Sequence, residues 1–302
     1  MNKCNIFGLE VACELDLPGF AIGKSLDSTV IRFSHHALEQ ILEPRLFYRD
    51  GILQFDAAKF GRLIIKDRST IEITPFSQLE IPHLVTFTLG SGLGSLLHVR
   101  QEIPLHGMAF LGKHGAVLML GASGCGKSTL TAAMLQARIP VFTDDVIALT
   151  HQANGSIVIN PAHRQIKLSA QITTELGLSQ QNFATTAPTV NKLSWHAPPE
   201  YFYQTAMPVV AIGILAPNRE QTSTAKIEKL SNINAMSMLL QNVYRRNLVK
   251  ILGNQKVAFE QLHQLGLKVP IYQVTLPAMR EGFDFTDYSV AISKQLTELP
   301  LI

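Results

Sequence analysis

Cysteine is scarce in this 302-residue chain, which contains only Cys4, Cys13 and Cys125. Three dispersed cysteines exclude a disulfide framework, and the lack of a Cys-x-x-Cys pair gives no indication of a zinc site. Charged residues make up only 16% of the chain, and 26 basic residues nearly balance 23 acidic ones. The formal charge of +3 therefore gives no reason to expect a nucleic acid partner.

Long hydrophobic runs are absent as well. The most apolar stretches, Ala116–Leu120 and Val209–Ala216, fall far short of the roughly 20 residues of a transmembrane helix. The first ten residues carry charge and have no apolar core, so no signal peptide is expected. Hydrophobic residues nevertheless make up 46% of the chain, which is ample for a folded core. We therefore expect a folded cytoplasmic protein that does not act at a membrane.

The first 80 residues are predicted to form a β-rich N-terminal region. Short alternating apolar runs are separated there by turn signals, of which Asp50-Gly51 is typical of a tight hairpin. A short helix is expected near His36–Ile41. The predicted strands are Ile6–Cys13, Ser28–Phe33, Leu46–Tyr48, Ile52–Phe55, Arg62–Ile65 and Thr70–Ile73.

Residues 81–302 alternate strands with helices, which predicts an α/β domain. A helix over Ile81–Arg100, with leucines at helical spacing, leads into it. Gly177–Pro199 is rich in polar residues and proline, and is predicted to be a mobile loop. The predicted strands are Met108–Leu111, Ala116–Leu120, Val141–Thr143, Val146–Leu149, Ser156–Ile159, Val209–Leu215 and Ile271–Leu276, and the predicted helices are Lys127–Gln136, Ala235–Leu252 and Val257–Leu265.

A phosphate-binding loop is the clearest motif. The segment matches G-x-x-x-x-G-K-[ST] in full, with an apolar strand before it and a helix after it, as a P-loop requires. Glycines let successive N–H groups point at phosphate oxygens, and the helix N-terminus adds a positive end. The alternative is a glycine-rich turn that arose by chance. The predicted nucleotide-binding residues are Gly121, Ala122, Ser123, Gly124, Cys125, Gly126, Lys127 and Ser128.

Two further features accompany the loop. Asp144-Asp145 closes the strand that follows the P-loop helix, so both carboxylates are expected beside the phosphates. Carboxylates there can hold Mg²⁺ and accept a proton from a hydroxyl group, although an acidic pair in an exposed turn is the alternative. His106 opens a strand that should run beside the P-loop strand. The loop alone is similar to that of ABC-type ATPases, but the chain has no Leu-Ser-Gly-Gly-Gln signature.

Leu105-His106-Gly107, the G-x-x-x-x-G-K-S-T loop and Asp144-Asp145, in this order, resemble the HPr kinase/phosphorylase family. The P-loop domain of that family is related to phosphoenolpyruvate carboxykinase. More closely, the chain looks like the HPr-kinase-related proteins with a β-rich N-terminal region, some of which tailor lasso-peptide precursors. The resemblance covers nearly all of the chain. It includes Phe7-Gly8-Leu9, Leu89-Gly90, Leu96-Leu97-His98, Leu230-Ser231 and Tyr244-Arg245.

The resemblance implies a kinase that uses ATP and Mg²⁺ and phosphorylates a serine or threonine hydroxyl of a protein or peptide. Thr129 would join Lys127 and Ser128 in binding nucleotide. Asp144 would be the base that deprotonates the acceptor, and Asp145 would assist the metal. The catalytic candidates are Asp144, Lys127, His106 and Arg164, the metal candidates are Ser128 and Asp145, and Lys192 is a further basic residue of the same kind as Arg164.

Some alternatives stay open. Arg164 and Lys192 could be solvated surface charges, and Cys125 could be an oxidisable thiol or simply a small loop side chain. The Glu-x-Arg-Gly-x-Gly signature of HPr kinases is missing, which argues against HPr as the acceptor and against phosphorolysis. A nucleotide-dependent regulatory module and a small-molecule kinase are the rival functions. The hexamers of HPr kinases suggest a homo-oligomer by analogy.

Overall fold

The computed structural model describes residues 1–20, 28–34, 37–39, 43–178, 183–185, 193–218, 224–278 and 284–300. Over these ranges the protein is of the mixed α/β class and contains three β-sheets. No helix within them is long and apolar enough to cross a membrane.

The N-terminal region forms a sheet of seven described strands. These are β1 (Asn2–Ile6), β2 (Leu9–Cys13), β3 (Ser28–Phe33), β4 (Arg45–Arg49), β5 (Ile52–Ala57), β6 (Gly61–Lys66) and β7 (Thr70–Pro75). Their order is β1-β2-β3-β7-β6-β5-β4, with β3 parallel to both of its neighbours. Alternate side chains of β6 and β7 are buried, so one face of the sheet covers a core. The predicted β-rich character of these residues is confirmed.

Two local predictions in this region differ from the structure. The run Ile6–Cys13 is a hairpin rather than one strand, because Phe7 and Gly8 turn the chain with φ angles of 59° and 80°. The helix expected near His36–Ile41 is wrong at residues 37–39, where Leu38 bridges to Phe76 instead. The rest of that predicted helix lies largely outside the described residues.

A helix connects the N-terminal sheet to the second region, as the sequence predicts. It runs through α1 (Ile81–Phe87), a π-helical stretch (Thr88–Leu93) and α2 (Gly94–Val99). Its leucines are buried in one core with the inner face of the N-terminal sheet. Burying a leucine side chain stabilises a fold by roughly 2–3 kcal/mol, so this packing holds the sheet and the helix together.

Gly94 leaves room for the ring of Tyr244 against this helix. A Cβ at Gly94 would lie 2.6 Å from Cε1 of Tyr244, whereas a Cβ at Gly92 would lie 3.5 Å from its nearest neighbour, Leu63. We expect Gly94→Ala to lower the free energy of unfolding by about 1–3 kcal/mol through overpacking. Gly92→Ala, the matched control, should be neutral or stabilise by up to about 1 kcal/mol, because alanine favours helix. Urea unfolding of both variants checks this; equal stability would contradict it.

The remaining strands follow in chain order. They are β8 (Leu105–Leu111), β9 (Ala116–Leu120), β10 (Val141–Thr143), β11 (Val146–His151), β12 (Ile157–Asn160), β13 (Gln165–Leu168), β14 (Phe183–Thr185), β15 (Leu193–His196), β16 (Met207–Ala216), β17 (Lys226–Lys229) and β18 (Ile271–Thr275). Strands β13, β15 and β14 form a small separate sheet. In the larger sheet β9 is parallel to β16 and antiparallel to β8, and β16 is parallel to β18.

Helices cover both faces of the larger sheet. Val117 and Met119 of β9 are buried in a core with residues of α3 and α8, whereas Leu118 and Leu120 face a core with α5 and α7. This burial on both sides explains the continuous apolar run of β9. The helices are α3 (Lys127–Gln136), α4 (Ala170–Glu175), α5 (Asn232–Gln241), α6 (Asn247–Ile251), α7 (Gln255–Lys268) and α8 (Phe285–Thr297).

Three predictions in this region need correction. The helix expected over Ala235–Leu252 is broken into α5 and α6, and Arg245 between them has a φ angle of 45°. Helix α7 runs through Gly266 and ends before Pro270. The segment predicted as a loop, Gly177–Pro199, contains β14 and β15, and parts of it lie outside the described residues.

Candidate functional site

The glycine-rich loop joins the end of β9 to the start of α3. Gly124 and Gly126 adopt φ angles of 84° and 100°, which side chains other than glycine rarely adopt. Gly121 makes room for the thiol of Cys125, since a Cβ at position 121 would lie 2.5 Å from that sulfur. The structure therefore gives Cys125 a packing role inside the loop.

Lys127 is nearly buried at the start of α3, with 9% of its surface exposed. Its ammonium group donates to the carbonyl oxygen of Gly121 and, at 2.9 Å, to that of Ala122. The charged end of the side chain therefore lies on the loop itself.

The topology of the sheet brings the loop and the two accompanying motifs to one edge. In the antiparallel pair of β8 and β9, Gly107 lies opposite Leu120 and forms the last pair of the ladder. His106 and Gly121 therefore lie just beyond this pair, at the same edge of the sheet. Strands β10 and β11 pair with β8 on its other side. Asp144 and Asp145 connect these two strands, and Gly107 donates its N–H to the carbonyl oxygen of Asp145. The topology thus brings the three motifs to the same edge of the sheet.

Asp145 is held by two basic side chains. Its Oδ2 atom accepts from Nζ of Lys167 at 2.5 Å, and its Oδ1 atom lies 3.3 Å from Nδ1 of His106. Burial alone would raise the pKa of Asp145, but Lys167 and His106 outweigh it and hold the pKa well below its usual range. Burial lowers the pKa of Lys167, but the two carboxylates raise it more, so the net change is an increase. Lys167 and Asp145 are therefore both charged at neutral pH.

Asp144 is oriented by the same lysine through the main chain. Its Oδ2 atom accepts the backbone N–H of Lys167 at 2.6 Å. Strand β13 thus fixes both carboxylates, one through its backbone and one through a side chain. The next strand residues on either side, Ile166 and Leu168, are fully buried in the core below, which locks the position of β13.

Sequence reasoning chose a different basic residue of this segment. The structure places the Nε atom of Arg164 3.2 Å from the carbonyl oxygen of Gly19, towards the N-terminal region. It brings Lys167 to the carboxylates instead. The alternation of polar and apolar residues over Gln165–Leu168 is a strand signal that could have identified Lys167. A phosphate-facing role for Arg164 stays a prediction, and Lys192 lies outside the described residues.

His163 and Tyr244 complete the surroundings of the carboxylates. Burial, helped by the charge of Lys167, lowers the pKa of His163 to about 3, so its ring is neutral. Burial and the charge of Asp145 raise the pKa of Tyr244. The ring of Tyr244 lies 6.1 Å from that of His106, centroid to centroid. The carboxylates thus sit at the margin of a poorly solvated environment, in which charge interactions are strong.

The ion pair of Lys167 and Asp145 should contribute to stability. Their side chains are only 21% and 14% exposed, so Lys167→Met leaves a largely buried carboxylate without its main partner. We expect a loss of about 2–3 kcal/mol in the free energy of unfolding. The matched control is Lys226→Met, whose pair with Glu228 is 55% and 54% exposed and should change stability by less than about 1 kcal/mol. Chemical denaturation that gives equal losses would contradict the assignment.

No protein-family model and no curated protein matches the sequence. Among solved structures, the fold is similar to that of the HPr(Ser) kinase/phosphatase from Coxiella burnetii. The sequence identity is 12%, the match covers 64% of this chain and 89% of that chain, and the TM-score is 0.32. A likeness of this size assigns no activity, so the function must be argued from the site itself.

Proposed function

We propose that the protein is a cytoplasmic kinase that transfers the γ-phosphoryl group of ATP to a serine or threonine hydroxyl of a protein or peptide. The observation that carries the proposal is the meeting of the P-loop, His106 and the Asp144–Asp145 pair at one edge of the sheet. A triphosphate on the loop would have its terminal phosphate beside carboxylates and a basic cluster. That arrangement serves phosphoryl transfer, which depends on positioning and charge stabilisation.

Binding of the triphosphate is the first step of the proposal. Backbone N–H groups of the loop and the N-terminus of α3 would hold the phosphates. Lys127 would leave the carbonyl oxygens of Gly121 and Ala122 and donate to the β- and γ-phosphates instead. His106, at 34% side-chain exposure, is accessible enough to contact a phosphate oxygen.

The donor set fits magnesium. Ser128 offers a hydroxyl oxygen, and Mg²⁺ takes only one or two protein ligands because phosphates and waters supply the others. Among the described residues there is no cluster of three or more His, Cys, Asp or Glu able to hold a metal. Asp145, the metal candidate from the sequence, already has Lys167 and His106 as partners. When bound, Mg²⁺ would neutralise charge on the β- and γ-phosphates.

Asp144 would act as the base in the transfer. The acceptor oxygen bonds to the γ-phosphorus while the bond from that phosphorus to the β–γ bridging oxygen breaks, and ADP leaves with the electron pair. The hydroxyl proton passes to the Asp144 carboxylate. The backbone N–H of Lys167 fixes that carboxylate, and the ion pair of Lys167 with Asp145 keeps a second, ionised carboxylate beside it. A protein or peptide as the acceptor is supported by the sequence resemblance alone.

The experiment is label transfer from [γ-³²P]ATP. The purified protein is incubated with labelled ATP, Mg²⁺ and the peptides encoded by neighbouring genes, and label is followed by phosphoamino-acid analysis. Label on serine or threonine that disappears with EDTA supports the proposal. ATP that is bound without turnover would instead favour the regulatory module, and label on a small metabolite would favour the small-molecule kinase.

A further inference from the structure

A cavity of about 570 Å³ opens beside the loop, on the flank away from the carboxylates. One wall is the loop itself. The other wall comes from the ends of β16 and β18 and from α8. The residues of this second wall are Leu215, Pro217, Asn218, Leu276, Pro277 and Tyr288. We call this cavity the recess.

The strand order explains why the recess and the carboxylates lie on opposite flanks. Strand β9, which leads into the loop, has β8 and then β10 on one side and β16 and then β18 on the other. Because β16 and β18 are parallel to β9, all three end at the same edge. Leu215 follows Ile214, the partner of Leu120, and so reaches the loop, where its Cβ lies 3.1 Å from the Cβ position of Gly121.

The chemistry of the recess differs from that of the other flank. None of the described residues that line it is charged. Leu215, Leu276 and Tyr288 are each more than nine-tenths buried, and the amide nitrogen of Asn218 already donates to the carbonyl oxygen of Leu276 at 2.9 Å. Burial raises the pKa of Tyr288 to about 12, so its hydroxyl is neutral. An uncharged, flat, largely apolar group is the ligand that such walls accept.

We infer that the recess holds the nucleoside of the nucleotide and that the triphosphate runs from it along the loop towards Asp144. The inference rests on the proposed function and adds an orientation and a specificity to it. The side chains of Leu215 and Leu276 would pack against the faces of the base. Because the described lining offers no charged group to the edge of the base, the site should take adenine and guanine nucleotides almost equally.

Binding of three probes tests the inference: ATP, GTP and inorganic triphosphate, each with Mg²⁺. We expect ATP and GTP to bind within about threefold of each other, and inorganic triphosphate to bind about 50-fold more weakly, as burial of roughly 100 Å² of ring surface requires. Leu276→Ala should weaken ATP about tenfold and inorganic triphosphate much less, because the nucleoside loses an apolar wall whereas the loop loses only the contact of Leu276 with Gly126. The ratio of the affinity for ATP to the affinity for inorganic triphosphate is independent of the fraction of protein that is folded.

Leu262→Ala is the matched control, because Leu262 is equally buried but lies in the core on the other face of the sheet. It should leave the ratio unchanged. Equal affinity for ATP and inorganic triphosphate, an ATP preference over GTP of 100-fold, or equal weakening of both probes by Leu276→Ala would each overturn the inference while the proposed function stands. Failure of all three probes to bind would overturn the proposed function, and the inference with it.

Discussion

Replacing Asp144 with asparagine is expected to lower the rate of phosphoryl transfer about 1,000-fold and to leave ATP affinity within about threefold. An amide has the size of the carboxylate, and its oxygen can still accept the backbone N–H of Lys167. It cannot take the proton of the acceptor hydroxyl. Single-turnover transfer from labelled ATP, measured beside equilibrium binding, separates these two effects.

Asp145→Asn is the comparison variant for this prediction. Both oxygens of Asp145 already face a basic partner, so this change should lower stability and should slow transfer far less than Asp144→Asn does. Transfer by Asp144→Asn at the wild-type rate would show that the base is assigned wrongly.

Lys127→Met should weaken ATP binding about 100-fold, because a charge-assisted contact to the β- and γ-phosphates is lost. Methionine keeps most of the aliphatic stem, so the packing of this nearly buried side chain changes little. Equilibrium dialysis with labelled ATP measures the effect, and circular dichroism establishes that the variant is folded.

Lys113→Met provides the control for nonspecific loss of positive charge. Lys113 is 61% exposed and pairs with Glu298, away from the loop. Its replacement should leave ATP affinity unchanged. If Lys127→Met binds ATP as well as the wild type does, the loop is not the triphosphate site.

The parts of the site that the sequence predicts are those with local signals. The loop is contiguous, so its residues and flanking elements can be read directly. The position of Asp144-Asp145 and His106 is predicted from a rule about strand ends, and β8 pairs with both β9 and β10 in the structure. Their chemical roles remain predictions.

Lys167 could not be placed in the same way. Its contact with the carboxylates depends on how the small sheet of β13 and β15 packs, and the partner strand β15 comes from a segment that reads as a loop. The family resemblance points instead to Arg164, a basic residue three positions earlier. Only the register of β13, with Ile166 and Leu168 turned into the core, separates the two.

The helices show the same division between local and tertiary signals. Lys127–Gln136 is predicted with the bounds that α3 has. At the break between α5 and α6, the ring of Tyr244 packs against Gly94, a contact between distant residues that local signals do not carry. Helix α8 was missed, although Asp284 caps it by accepting from the N–H groups of Thr286 and Asp287, a signal that the sequence does carry.

The central claim is that a triphosphate on the loop points its terminal phosphate at Asp144. A crystal structure with Mg²⁺ and a non-hydrolysable ATP analogue tests it most directly. We predict that the γ-phosphate faces the Asp144 carboxylate, with Lys127 released from the carbonyl oxygens of Gly121 and Ala122 and bound to phosphate. A γ-phosphate on the flank of β16 and β18, with the base beside the carboxylates, would contradict the account.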